Sequence, residues 1–238
     1  MSTISESSSS FPILVATSGR IVGFPSHWSL VDLQEHLGGI PLERISLYRS
    51  PGTATEEDAI WLEDHEDRLC ELVSGVLVEK SMSFYESILA MALGHLLIKY
   101  LESHNLGIIS GPDGQIRILS NTIRIPDLAF IRWEKFPDGK MPRDRVCRVA
   151  PDLAVEIISE GNTAREMQRK LEEYFQAGVR LVWYIDPQSR TARIYTAIDQ
   201  MLEIDTAGQL EGRDVLPGFS VRLSELFDRA DRRSNPPA

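Results

Sequence analysis

At 238 residues, with 42% hydrophobic and 25% charged side chains, the chain can bury a full core and has an ordinary globular composition. Its formal net charge of −10 excludes a global basic footprint, so any contact with nucleic acid must be local. The two cysteines, Cys70 and Cys147, follow no metal or redox spacing, which points to a reducing, cytoplasmic environment.

Residues 1–10 are polar and Ser-rich and read as a disordered tail; they lack the basic-then-apolar order of a signal peptide. No apolar run approaches membrane-spanning length, so no membrane partner is expected. Ser29 opens a short helix with Leu30, Leu33 and Leu37 on one face, closed by Gly38-Gly39-Ile40-Pro41. The acidic stretch from Glu56 to Asp67 reads as a solvated helix face or a loop. Glu71 to Glu79 predicts a hairpin turning at Ser74-Gly75. Ser83 and Glu86 form a capping box for a long amphipathic helix through Tyr100, ending near Asn105 and Gly107.

Two strands follow, around Gln115–Leu119 and Thr122–Ile131. The second contains Ile125-Pro126-Asp127, and a proline inside a strand pattern marks an edge or a bulge. Asp152–Ile158 is short, apolar and β-branched, as a strand buried on both faces should be. Thr163 and Glu166 predict a second capping box, and Gly178 ends the helix that it opens. Met167, Leu171, Tyr174 and Phe175 share the packing face of that helix, with Lys170 roughly 100° from Leu171. Leu181–Ile185 is the next strand, which makes a right-handed parallel crossover. Thr191–Thr196 returns beside it through Pro187–Arg190. Strand and loop occupy Met201–Gly218, and Leu223–Ala230 is a short helix.

The chemistry concentrates in a few charged residues that stand among apolar ones. Glu156 lies mid-strand, where a carboxylate costs several kcal/mol unless it is paired or bound. Asp127, Glu156 and Lys170, with Glu71 as a fourth member, form the candidate constellation. Converging carboxylates make a hard-oxygen site for Mg²⁺ or Mn²⁺, and a lysine beside it can orient or deprotonate water and neutralise phosphoryl charge. Structural readings stand beside this one. Glu156 and Lys170 can be a buried ion pair, Lys170 can pair with Glu166, Asp127 can form a turn, and Glu71 can be solvated. The five histidines lack ligand spacing, and no dinucleotide fingerprint, P-loop or nucleophile elbow occurs.

From about Leu69 to Tyr195, the order of acidic residue, Pro-Asp, Val-Glu and helical lysine resembles the Uma2 family of the PD-(D/E)XK nuclease superfamily. The likeness is closest in RIPDLAFI and PDLAVEIISEGNTAREMQRKLEEYFQAGVRLVWYIDP. The superfamily's lysine position on the strand is Ile158 here, so the usual E-X-K is broken and Lys170 takes the role from the helix. The resemblance implies an α/β fold, a restriction-endonuclease-like central mixed β-sheet flanked by helices, over residues 68–230. Residues 11–67 are then an N-terminal extension and 231–238 a second disordered tail. It further implies a Mg²⁺- or Mn²⁺-dependent endonuclease acting on DNA. Asp127, Glu156 and Glu71 would serve as metal ligands with the carbonyl of Ile157, and Asp127, Glu156 and Lys170 would be catalytic. Apolar edge strands and the resemblance together make a homodimer possible. The rival expectation is a nuclease-fold interaction protein with little or no catalysis, which the acidic charge favours.

Overall fold

The computed structural model describes residues 24–231 apart from residue 26, so the tail expected at 1–10 and residues 232–238 lie outside the described residues. Asp231 is described and is held: it accepts hydrogen bonds from the Tyr85 hydroxyl at 2.5 Å and from Arg190 at 2.7 Å.

Helix α1 (Leu30–His36) starts on a Ser29–Asp32 capping box. It buries Leu33 and Leu37, whereas Leu30 is exposed, so the expected three-leucine face is a two-leucine one. Strand β1 (Ile45–Ser46) pairs with β3, so the N-terminal segment contributes an edge strand to the first sheet. Helix α2 (Glu56–Glu66) corrects the expectation of a merely solvated acidic stretch. Ala59 and Leu62 are fully buried, and the buried Glu56 pairs with Arg117 and Arg148. Alternation of apolar and acidic residues hid that face.

The hairpin β2 (Cys70–Val73) and β3 (Val76–Glu79) turns at Ser74 and Gly75, both with positive φ, as a type I′ turn requires. Any Cβ on Gly75 would lie 2.5 Å from the backbone of Gly52. Helix α3 (Phe84–Ser103) begins on the Ser83–Glu86 capping box. By length and composition it is long and apolar enough to cross a membrane, contrary to expectation. Its face of Leu89, Leu93 and Leu97 packs into the main core.

Next come β4 (Gly107–Ser110), β5 (Ile116–Leu119), β6 (Thr122–Arg124) and β7 (Leu128–Arg132). The single strand expected over Thr122–Ile131 is therefore two strands. Ile125-Pro126-Asp127 carries the chain from one sheet to another, because Pro126 cannot donate to either ladder. Strand β8 (Leu153–Ile157), helix α4 (Ala164–Gln176) and strand β9 (Leu181–Asp186) form the expected crossover, with β8 and β9 parallel neighbours. Gly178, at φ 86°, closes α4 with the Val179 amide returning to the Tyr174 carbonyl. Strands β10 (Thr191–Ala197), β11 (Gln200–Ile204), β12 (Gln209–Glu211) and β13 (Ser220–Arg222), then helix α5 (Leu223–Ala230), complete the described chain.

The first sheet is antiparallel, in the order β1-β3-β2-β6-β5, and the central sheet is mixed, in the order β11-β10-β9-β8-β7-β4. One face of the central sheet carries Leu153, Val155 and Ile157 against α3 and α5. The other presents Ala154, Val182 and Tyr184 to α4 and to Ile116 and Ile118 of β5. Side chains alternate along a strand, so Glu156 shares the α4 face with Ala154.

Candidate active site

Glu156 is held from α4 by two residues one helical turn apart. Both of its carboxylate oxygens lie 3.2 Å from the Lys170 ammonium, and the Tyr174 hydroxyl donates to Oε1 at 2.5 Å. Spacing of four residues places Lys170 and Tyr174 on one helix face, opposite the middle of β8. Lys170 also reaches Glu71 Oε1 at 3.1 Å, so it bridges two carboxylates and makes no pair with Glu166.

Glu71 is fully buried on β2, which removes its solvated reading. It accepts from Arg124 at 2.7 Å and from the Ile125 amide at 3.1 Å. Arg124 in turn pairs with Glu173 at 2.6 Å, and Arg169 meets Glu173 at 2.9 Å. The expected Thr163–Glu166 box is only half formed. Thr163 accepts from the Glu166 amide, but the Glu166 carboxylate pairs with Arg44 at 2.8 Å and accepts from Asn162 at 3.0 Å.

Asp127 stands where the chain passes from β6 into β7. Its amide donates to the Val155 carbonyl at 2.9 Å, and its Oδ2 accepts from the Ile157 amide at 2.6 Å. It is a joint between β7 and β8, not a free turn residue. Its Oδ1 lies 2.8 Å from the ammonium of Lys80, the residue that follows β3.

Electrostatics separate these groups. Burial alone would raise the Glu71 carboxyl, but Lys170 and Arg124 outweigh it and hold Glu71 well below the usual carboxylate range. For Glu156 burial wins over Lys170, and nearby Asp127 adds to it, so that carboxyl is raised. Burial disfavours the Lys170 charge, yet Glu156 and Glu71 together raise its pKa above the ordinary lysine value. Burial, and then Glu156, push the Tyr174 phenol well above its usual value.

Glu71, Asp127, Glu156 and Lys170 all line one cavity of about 10 Å³, room for about one water. Lys80, Arg44, Ser81, Ile157 and Asn162 complete its wall. The cavity thus brings the four expected residues together and adds Lys80 and Arg44. Arg124 and Lys80 went unread in the sequence, and Tyr174 was read only as part of the packing face of α4. Arg124 carried the same signal as Glu156, a charge amid apolar residues, in Thr-Ile-Arg-Ile.

The donors suit a hard divalent cation: Asp127 and Glu156 offer oxygens only, at one cavity, beside Ile157. Their oxygens are presently countered by Lys80 and Lys170, and no group of three acidic, His or Cys residues surrounds one point among the described residues. A cation would therefore fit by donor type, and it would have to exchange with an ammonium to reach these oxygens.

The Uma2 family model, described as "Putative restriction endonuclease", matches residues 56–224. This chain belongs to the Uma2 family. The Uma2 match takes in α2 and everything from there to the start of α5, including every residue of the cavity wall except Arg44. The fold is similar to a crystal structure of a putative nuclease from Anabaena variabilis ATCC 29413, with a TM-score of 0.62 at 15% sequence identity. That likeness covers 69% of the Uma2 chain and 92% of the other protein. No curated protein matches the sequence.

Proposed function

We propose that this Uma2 protein is a metal-dependent endonuclease of the PD-(D/E)XK type that hydrolyses DNA phosphodiester bonds. The observation that carries the reading is the convergence of Asp127, Glu156, Glu71 and Lys170 on one cavity, from β2, the β6–β7 connection, β8 and α4. Asp127 and Glu156 would hold Mg²⁺ or Mn²⁺, with Glu71 behind them. When bound, the cation supplies Lewis-acid polarisation of the phosphodiester and lowers the pKa of a water. Without a cation, Glu156 and Glu71 outweigh burial and favour the charged form of Lys170. Its role is to present fixed positive charge toward the phosphoryl oxygens. Glu71 and Tyr174 position Lys170 and Glu156 respectively.

The second reading, a nuclease fold without catalysis, draws on the completeness of the ion pairing. Glu71, Asp127, Glu156, Glu166 and Glu173 are each matched by at least one of Lys170, Lys80, Arg124, Arg44 and Arg169. Such a cluster can serve as a structural hub.

Supercoiled plasmid incubated with and without Mg²⁺ or Mn²⁺ separates the two. The endonuclease reading expects cation-dependent nicking, lost in Asp127→Asn and Glu156→Gln. Lys170→Ala should slow it by about 10²–10³-fold, as for other stabilisers of developing charge. A folded parent protein that binds the cation but leaves the plasmid intact would establish the second reading.

A further inference from the structure

Asp127 offers an incoming cation very little room. One oxygen is tied to the Ile157 amide, a bond that fixes the join between β7 and β8. The other, Oδ1, faces the Lys80 ammonium, so a cation reaching Asp127 meets Lys80 there. The Lys80 side chain is only 8% exposed, and its ammonium also donates to the Ile125 carbonyl at 2.5 Å.

Among the cations of the cluster, Lys80 is the most readily released. Lys170 bridges two carboxylates, and Arg124 likewise spans Glu71 and Glu173. Arg44 makes a two-pronged pair with Glu166 and reaches two backbone carbonyls. Lys80 has one carboxylate and one carbonyl, at the end of a flexible four-carbon stem. A dication added with every ammonium in place would leave a buried excess of positive charge, which a low-dielectric site disfavours. Releasing Lys80 both frees Oδ1 and lowers that excess.

We propose that Lys80 is a built-in counter-ion for Asp127, which a divalent cation must displace to occupy the site. The inference rests on the metal-dependent reading above. In the metal-free protein Lys80 satisfies a buried carboxylate that would otherwise be uncompensated. Cation affinity is correspondingly set by competition with a residue of the chain itself.

Calorimetric titration of the full-length protein with Mn²⁺ tests this, using the parent, Lys80→Met and Lys80→Gln, each with and without Asp127→Asn. Gln keeps an amide donor for the Ile125 carbonyl, so it reports if Met does not fold. Removing the competing charge is expected to tighten Mn²⁺ binding by ~10-fold or more. Asp127→Asn should abolish the gain. Thermal melts should show Mn²⁺ stabilising the Lys80 variants at lower concentration than the parent. Equal or weaker binding by the variants, with the parent still binding, overturns the counter-ion role and leaves the endonuclease reading standing. Folded parent and variants that all fail to bind Mn²⁺ overturn both.

Discussion

Lys170 is enclosed by Glu71 and Glu156, with the side chain 5% exposed, and its loss should be felt first as stability. Lys170→Met leaves two buried carboxylates facing one another and is expected to cost about 3–5 kcal/mol at neutral pH. Adding Glu156→Gln removes one stranded charge, so urea unfolding should find the double variant more stable than Lys170→Met alone. Acid stability follows from Glu71. Its pKa is held below the ordinary value of 4.5, so its contribution is present above that pH and lost as pH falls below it. Glu156 is raised and acts oppositely, costing stability above pH 4.5 and relieving it below. Glu71→Gln should therefore be less stable than the parent at pH 7, with the gap shrinking toward pH 3 in urea melts. Sequence alone disclosed Glu156 because a carboxylate amid β-branched residues demands a partner. It did not disclose that Glu71 is buried, since its partners Arg124 and Lys170 lie 53 and about 100 residues away in the chain. Lys80 was missed for a related reason. It follows β3 and precedes a polar Ser81, so nothing adjacent marks it as buried.

Among the elements, β8, α4 and β9 were the most legible, because a capped helix with one apolar stripe between two short apolar runs admits few arrangements. The Ser74-Gly75 hairpin and the β9–β10 pair were legible through turn chemistry. The break between β6 and β7 was not, because Pro126 announces an interruption without saying that the chain changes sheets. Strand β4 was hidden too: Gly107 reads as a helix stop, yet it is the first residue of the strand. The contact between α1 and α4 was equally unforeseeable, and it has a test. Gly38 ends α1 at φ +91°, and a Cβ there would lie 2.8 Å from the Glu166 backbone nitrogen. The Thr163 hydroxyl donates to the Gly38 carbonyl at 2.6 Å in the same place. Gly38→Ala combines a disfavoured backbone with an unyielding backbone neighbour and should cost about 1–3 kcal/mol. Thermal melts should show it, at about 2–4 °C per kcal/mol for a chain of this size. An unchanged melting temperature would mean that α1 does not depend on this close approach.

The whole molecule carries a net charge of −10, and its surface arginines are largely engaged. Arg145 meets Glu63 and Asp64, Arg148 meets Glu56, and Arg165, Arg180 and Arg190 each meet a carboxylate. Lys99, Lys140, Arg143 and Arg222 are exposed with no carboxylate within ion-pair distance among the described residues, and of these only Lys140 and Arg143 share a segment, the loop between β7 and β8. A DNA backbone approaching this surface thus meets few uncommitted cations, and each engaged arginine must first leave its partner. Binding through counterion release should accordingly be shallow in salt. With about two or three phosphates neutralised, the slope of log K against log salt is expected near −2 to −3, from about −0.9 per phosphate. Fluorescence anisotropy of a labelled duplex with Glu156→Gln, titrated with KCl at fixed Mg²⁺, measures it without cleavage. A slope steeper than about −5 would require as many as five or six phosphate contacts, more than the uncommitted cations of this surface can make. At the shallow slope, most of the attraction for a phosphodiester would have to come from the cavity itself, through Lys170 and any cation held by Asp127 and Glu156. Affinity would then follow divalent-cation occupancy more closely than ionic strength.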